Sequence, residues 1–93
     1  MANKFKPDDP YPVVVEISIR QLRADDAIVE IERGLDDALH QGAEKIRIIH
    51  GKGMGVLRTV VAEILDEHPD VDSYAMAPWN EGGDGVTIAT FRT

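Results

Sequence analysis

A glycine-rich segment at residues 48–58, with the sequence IIHGKGMGVLR, contains the residues best suited to bind an anion. Glycine occupies every second position from Gly51 to Gly55, and Lys52 lies between the first two of these glycines. Glycines let a backbone turn tightly and present successive N–H groups to a ligand. Because the lysine adds a full positive charge, the spacing predicts a phosphate-binding turn.

Two side chains beside this turn extend its possible chemistry. His50 comes directly before the turn, and Arg58 follows it within about one helical turn. Histidine exchanges protons near neutral pH, so His50 could act as a general acid or base. It could equally bond a phosphate or the backbone across the turn. The charge of Arg58 would add to that of a helix N-terminus, which also attracts anions.

The segment differs from the common nucleotide-binding loops. The pattern GxxxxGK[ST] is absent, because Lys52 is followed by Gly53. The glycine spacing is GxGxG, which is not the GxGxxG of dinucleotide-binding folds. A glycine-rich link between a strand and a helix is often only a turn. Here the accompanying histidine, lysine and arginine favour an anion site, while enzymes of the usual mononucleotide classes are disfavoured.

A second glycine-rich segment, EGGDGVT at residues 81–87, reads as the turn of a β-hairpin. Trp79, the only tryptophan, lies just before it. An indole there could stack on a nucleic-acid base. We expect instead that Trp79 packs against the core or its rim.

Alternating patterns predict the elements that must position these residues. The expected strands are 12–19, 45–50, 71–78 and 86–91, and the expected helices are 24–40 and 55–68. The order β-α-β-α-β-β predicts an α/β (α+β) fold with a mixed four-stranded sheet. If the first three strands are parallel with right-handed crossovers, Arg20, His50 and the EGGDG turn meet at one sheet edge.

The chain of 93 residues is expected to form one domain at 13–93, after a leader or linker remnant at 1–12 that holds three of the five prolines. The absence of cysteine excludes disulfides, thiolate zinc sites and a cysteine nucleophile. No apolar run approaches the roughly 20 residues that span a bilayer. Together with the polar start of the chain, this predicts a cytoplasmic protein that does not contact membranes.

Charge is distributed unevenly along the chain. The net charge is −7, which argues against a general nucleic-acid binder. Residues 44–58 nevertheless carry a local charge of +3, so the rest of the chain carries −10. A small basic site on an acidic body would bind phosphate weakly, and its binding would fall as salt rises.

The runs RIIHGKGMGVLR and EGGDGVT, in this order and separation, resemble the small MutS-related (Smr) domain family. In that family a strand ending in an HGxG-type motif leads into a helix, and a GGxGVT hairpin follows near the end. The resemblance covers about residues 13–92 and implies a two-layer sandwich. It also implies binding of DNA or RNA and, in many members, an endonuclease that nicks DNA or cleaves RNA.

The resemblance implies a set of site residues. Catalysis would involve His50, Arg20 and Ser18, the last at the position of a family aspartate, and Asp84 would bind a divalent metal (Mg or Mn). The nucleic-acid-binding residues would be Gly51, Lys52, Gly53, Gly55, Arg58, Gly83 and Gly85.

The sequence departs from the family at one motif. The first strand usually ends in L-D-L-H/R-G, whereas this chain has Ile17, Ser18, Ile19, Arg20 and Gln21. A serine cannot replace a carboxylate as a base or metal ligand at neutral pH. The departure separates nucleic-acid binding, which we expect, from cleavage, which it leaves open.

Two other functions stay open at this point. The charge of −10 outside the basic segment would also suit a non-catalytic interaction or accessory module of a larger DNA-repair or ribosome-associated protein. A binder of small phosphate compounds is disfavoured, because two helices leave little room for an enclosed pocket. The residues do not decide between DNA and RNA, or between a whole protein and part of a longer chain.

Overall fold

A computed structural model describes residues 13–92, in which four strands and two helices follow one another in the predicted order. The strands are β1 (Val14–Ser18), β2 (Lys45–Ile49), β3 (Val71–Met76) and β4 (Val86–Phe91), and the helices are α1 (Ala24–His40) and α2 (Val56–Glu67). Helix 24–40 and strand 86–91 match their predicted bounds, and the other elements end one or two residues sooner. β1 and α2 also begin later than predicted, by two residues and one residue. The leader predicted at 1–12 lies outside the described residues.

The four strands form one mixed sheet in the order β1-β2-β4-β3. β1 and β2 are parallel, and β4 is antiparallel to both of its neighbours. β3 therefore runs in the same direction as β1 and β2, which confirms the predicted direction of the first three strands. β4, the last of the four strands described in residues 13–92, lies inside the sheet between β2 and β3.

Both helices cover the same face of this sheet. Successive right-handed crossovers laid down in one direction place their helices on one side, and the two helices pack against each other. The largest fully buried side chains are Ile19, Ile31, Leu35, Ile46, Ile48, Val61 and Leu65. Burial of each contributes about 1.5–3 kcal/mol. On the other face, Glu16, Ser18 and Arg47 remain partly or largely exposed, so the fold has two layers.

The histidines at the ends of the two helices make different hydrogen bonds. The Nδ1 of His40 donates to the carbonyl of Asp36 at 2.8 Å, as expected for a histidine at a helix end. This bond and the nearby Asp36 carboxylate raise the pKa of His40. The ring of His68 instead accepts a bond from the N–H of Asp70, at 3.1 Å. Neither helix within residues 13–92 is long and apolar enough to cross a membrane.

Candidate functional site

The glycine-rich segment and the hairpin turn meet at one edge of the sheet. The N–H groups of His50 and Gly51, at the end of β2, both donate to the carbonyl of Gly85, at 3.0 and 2.9 Å. Gly85 lies directly before β4. A Cβ at Gly85 would lie 3.3 Å from the Gly51 carbonyl carbon and 3.3 Å from the Lys52 side chain, so the two backbones touch here. The predicted convergence at this edge is confirmed.

The glycines of the segment adopt backbone angles that other residues disfavour. Gly51, Gly53 and Gly55 have φ values of +81°, +52° and +84°. These left-handed angles alternate with the intervening residues and wind the chain tightly into α2. The alternation of glycine in the sequence is therefore a conformational requirement of this turn.

The turn forms one wall of an open cleft of about 260 Å³, which we call the glycine-loop cleft. Its lining consists of Arg20, Gln21 and residues 50–58. A Cβ at Gly51 would lie 3.6 Å from the Arg20 side chain, and a Cβ at Gly55 would lie 3.1 Å from Arg58 Nη2. Both guanidinium groups therefore lie close to the glycine backbone.

The electrostatics of the glycine-loop cleft favour an anion. Arg20, Lys52 and Arg58 supply three positive charges, and α2 begins at Val56. Among residues 13–92 no side chain caps the start of α2, and its first turn has no acidic residue. The free N–H groups there carry a partial positive charge of about half an elementary charge. An incoming phosphate oxygen would satisfy these groups.

His50 is built into the floor of this cleft and is only 5% exposed. Its Nδ1 lies 2.9 Å from the carbonyl oxygen of Gly51, and its Nε2 lies 2.9 Å from Oγ1 of Thr87. A carbonyl can only accept, so Nδ1 carries the proton and donates. In the neutral ring, Nε2 then accepts the hydroxyl proton of Thr87. The ring thus ties the glycine turn to β4 through both nitrogens.

Thr87 is the site residue that sequence reasoning missed. It is 6% exposed and lies next to β2 in the sheet, opposite Ile48. The threonine belongs to the GVT run of the hairpin, but an alternating strand pattern gives a buried threonine no particular partner. A buried hydroxyl needs a hydrogen-bond partner, and this general requirement was the only available signal.

The third predicted catalytic residue lies apart from the other two. Arg20 and His50 both line the glycine-loop cleft, whereas Ser18 is exposed at the end of β1, on the sheet face that the helices leave open. Gln21 lies beside Arg20 with a φ of +68°, a value that favours glycine. The glycine of the related motif therefore corresponds to a left-handed position here.

The hairpin turn contributes one charge pair at the margin of the cleft. Asp84 Oδ1 lies 3.5 Å from Lys52 Nζ, with both side chains more than half exposed. Gly83 bonds inside its own turn, through its N–H to the carbonyl of Pro78 at 3.0 Å, and does not line the cleft.

A resident divalent metal does not fit these donors. Asp84 stands beside a lysine, and Ser18 offers no carboxylate. The part of the chain that the structure describes, residues 13–92, contains no group of three His, Cys, Asp or Glu side chains that could hold a metal ion. We therefore assign no chemical step to a metal.

The basic segment at 44–58 does not form a single patch. Arg47 points to the open face of the sheet, where its Nε lies 3.3 Å from Glu16 Oε1 and its Nη2 donates to the carbonyl of Glu81 at 3.0 Å. Of the four lysines and arginines in that segment, only Lys52 and Arg58 line the glycine-loop cleft, and the third cation of the cleft is Arg20.

The expectation that Trp79 packs into the core or its rim is wrong, because this side chain is 90% exposed. Its turn is closed by backbone bonds to the carbonyl of Pro78, from Glu81 at 2.8 Å and from Gly83 at 3.0 Å. Ala77, two residues before Trp79, is buried and donates its N–H to the carbonyl of Val86 at 3.0 Å, so the chain leaves the core between Ala77 and Trp79. The indole of Trp79 is therefore exposed to solvent.

Comparisons with known proteins agree on one family. The model of the Smr domain matches residues 17–92. "Endonuclease MutS2" of Geobacillus sp. (strain WCH70) is 45% identical over 82 residues, which cover 88% of this chain and 10% of that protein. "Endonuclease MutS2" of Caldanaerobacter subterraneus subsp. tengcongensis is 44% identical over 91 residues, covering 98% of this chain and 12% of that protein. The chain thus spans about a tenth of the length of these curated relatives.

Solved structures give the same result. The crystal structure of the Smr domain of Thermus thermophilus MutS2 superposes with a TM-score of 0.82 at 38% identity, covering 85% of this chain and 99% of that one. YdaL, a stand-alone small MutS-related protein from Escherichia coli, superposes with a TM-score of 0.81 at 26% identity, covering 85% and 65%. The resemblance to the Smr domain family, first seen in the two glycine-rich motifs, is therefore confirmed over the whole fold. The chain belongs to the Smr domain family.

Proposed function

We propose that this Smr domain binds the sugar–phosphate backbone of a polynucleotide in the glycine-loop cleft. The observation that carries the proposal is the position of Arg20, Lys52 and Arg58 around a glycine turn that opens onto an uncapped helix N-terminus. Backbone N–H groups and arginines are the usual protein ligands of phosphate oxygens. The kinship with proteins named endonucleases supports a nucleic acid as the source of that phosphate.

The shape of the cleft favours a phosphodiester within a long chain. The glycine-loop cleft is open, whereas pockets for small molecules bury most of their ligand. A polynucleotide can place one or two phosphates in an open cleft while the rest of the strand continues along the surface. DNA and RNA share this backbone, so both belong in the test.

Charge-removing variants test the binding proposal. Fluorescence anisotropy with labelled DNA and RNA oligonucleotides at low salt should show about tenfold weaker binding for Lys52→Ala and Arg58→Ala, equivalent to about 1.4 kcal/mol each. Lys45→Ala is the matched control, because it removes the same charge from an exposed residue of β2 outside the cleft. Unchanged affinity in both cleft variants, or an equal loss in Lys45→Ala, would refute the site.

Strand cleavage is a second candidate function, favoured by the position of Arg20 and His50 on one cleft and by the endonuclease names of the relatives. Arg20 would stabilise the extra negative charge on a phosphate under attack. His50 would transfer a proton only after releasing Thr87 or the carbonyl of Gly51, since both ring nitrogens are engaged.

Supercoiled plasmid and structured RNA, each incubated with and without Mg²⁺ or Mn²⁺, test cleavage directly. Cleavage predicts nicked plasmid or RNA fragments with the wild-type domain and at least a hundredfold slower product formation with His50→Ala. Binding without products above that control would reject cleavage and leave a non-catalytic binding or accessory module.

A further inference from the structure

Exposed hydrophobic side chains cluster at the edge of the sheet that carries the glycine-loop cleft. Within residues 13–92 the exposed large hydrophobic residues are Val14, Ile28, Val29, Met54, Val56, Met76 and Trp79. The last four of these seven lie in or beside the loops at this edge. Trp79 stands out among them, because a planar ring as large as indole is 90% exposed and it is the only tryptophan of the chain.

A short series of contacts connects the turn of Trp79 to the cleft. The carbonyl of Pro78, the residue before Trp79, accepts the N–H of Gly83 at 3.0 Å. The next residue, Asp84, lies 3.5 Å from Lys52 Nζ. The carbonyl of Gly85 then accepts the N–H of Gly51 at 2.9 Å. The turn that presents the indole is therefore held against the turn that contacts the proposed phosphate site.

An exposed indole at the same sheet edge as a basic cleft has a specific use in nucleic-acid binding. A flat aromatic face stacks on a base, and stacking of this kind tolerates every sequence because each base has a π-face. The base must be unpaired and outside a continuous stack to offer that face. A continuous duplex presents only phosphates and groove edges to such a surface.

We propose that Trp79 stacks on an unpaired base of the strand whose phosphate is bound in the glycine-loop cleft. The inference rests on the proposed binding function and narrows its substrate class to single-stranded, flapped or looped segments. The cations bind the backbone of any polynucleotide, and the indole adds affinity only where a base is free. Specificity is then for strand structure and not for base sequence.

Two variants of Trp79 separate stacking from phosphate binding. Anisotropy titrations with single-stranded DNA and RNA should show about tenfold weaker binding for Trp79→Ala, whereas binding to blunt duplexes of equal length changes less than twofold. Trp79→Phe retains an aromatic face and should recover most of the lost affinity. Val29→Ala is the matched control, since it truncates an exposed hydrophobic residue on α1, at 62% exposure.

The intrinsic fluorescence of the protein gives an independent measurement. Because Trp79 is the only tryptophan, a stacked base should quench most of the tryptophan emission on saturation with a single strand. A duplex bound only through its phosphates should leave the emission nearly unchanged. Lys52→Ala should weaken single strands and duplexes alike, by about tenfold, without altering the quenching at saturation.

The outcomes of these experiments separate a failure of the stacking proposal from a failure of the proposed phosphate binding. Unaltered single-strand affinity in Trp79→Ala, or emission that saturating single strand leaves unchanged, overturns the stacking proposal; the phosphate site stands if Lys52→Ala still weakens binding. Equal losses of single-strand and duplex binding in Trp79→Ala would also overturn it. If no oligonucleotide binds, both proposals fail.

Discussion

His50 shows how one side chain can hold a loop in its working shape. Its ring donates to the carbonyl of Gly51 and accepts from the hydroxyl of Thr87, so it connects the glycine turn to the neighbouring strand. With both nitrogens engaged and 5% exposure, the ring acts in this arrangement as a positioning group for the turn. A phosphate that enters the cleft would therefore contact the glycine backbone, which His50 orients, before it contacted the buried imidazole.

Gln21 has an unfavourable backbone conformation beside Arg20. Its φ of +68° makes it the only non-glycine residue within 13–92 with a positive φ. A left-handed conformation costs a residue with a Cβ about 1–2 kcal/mol, and a glycine gives back roughly 0.5–1 kcal/mol of this through its greater freedom in the unfolded chain.

Gln21→Gly should therefore stabilise the domain by about 0.5–1 kcal/mol and raise Tm by a few degrees. Gln41→Gly is the matched control, because Gln41 has an ordinary φ of −83° at the end of α1. Thermal unfolding followed by circular dichroism should show a lower Tm for the control and a higher one for Gln21→Gly. A decrease in Tm of the same size in both variants would contradict the proposed backbone strain at Gln21.

The residues of the cleft were predictable to different degrees. Arg20, Lys52 and Arg58 could be placed together because parallel strands bring their carboxyl ends to one edge and glycines mark the turn between strand and helix. Thr87 could not, because its role depends on a contact across 37 residues of sequence. The separation of Arg47 from the cleft followed from the side of β2 on which each residue points.

At the scale of elements, the connection between β3 and β4 depends on two adjacent glycines with positive φ. It contains two short 3₁₀ turns, Trp79–Glu81 and Gly83–Gly85, with Gly82 between them. Gly82 has a φ of +120°, and a Cβ placed there would overlap Cγ2 of Val86. Gly83 has a φ of +55°, with nothing within 4 Å of its Cβ position.

Substitution of these two adjacent glycines should therefore have unequal effects. Gly83→Ala should cost about 1 kcal/mol, the strain of a left-handed alanine alone. Gly82→Ala should cost about 2–4 kcal/mol, since overlap with Val86 adds to a backbone angle that alanine rarely adopts. Urea denaturation measures both free energies of unfolding, and equal values would contradict an overlap with Val86.

The helices and strands themselves were largely predictable. Helix 24–40 was predicted with its observed bounds, because its buried residues recur at helical spacing and Gly42 follows it. The exposure of Trp79 was not, because large aromatic residues are usually buried and the sequence pattern does not show on which side of a turn a side chain points.

At the scale of the whole molecule, charge limits how much nucleic acid the domain can contact. The chain has a net charge of −7, yet three cations line the glycine-loop cleft. The acidic remainder repels a strand that leaves this edge of the sheet. The footprint should therefore be short, and affinity should come from a few phosphates.

A salt titration measures this footprint. With about three phosphates neutralised on a single strand, the logarithm of the binding constant should fall with the logarithm of the salt concentration with a slope near −2. Lys52→Ala should make the slope shallower by about 0.7, the contribution of one phosphate on a single strand. Anisotropy titrations at several concentrations of NaCl between about 20 and 150 mM provide the measurement. A slope near −6 would mean that a much wider surface contacts the strand.

The position of β4 inside the sheet also determines when the site forms during synthesis. Within residues 13–92 β4 is the last of the four strands, and its start supplies both Thr87 and the approach of Gly85 to the glycine turn. On the ribosome, the segment from β1 to β3 emerges without the strand that joins β2 to β3, and non-local strand pairing is slow. A nascent chain that ends before residue 86 therefore lacks an ordered cleft. We therefore expect a nascent chain to bind a polynucleotide only after β4 has been translated and has left the ribosome.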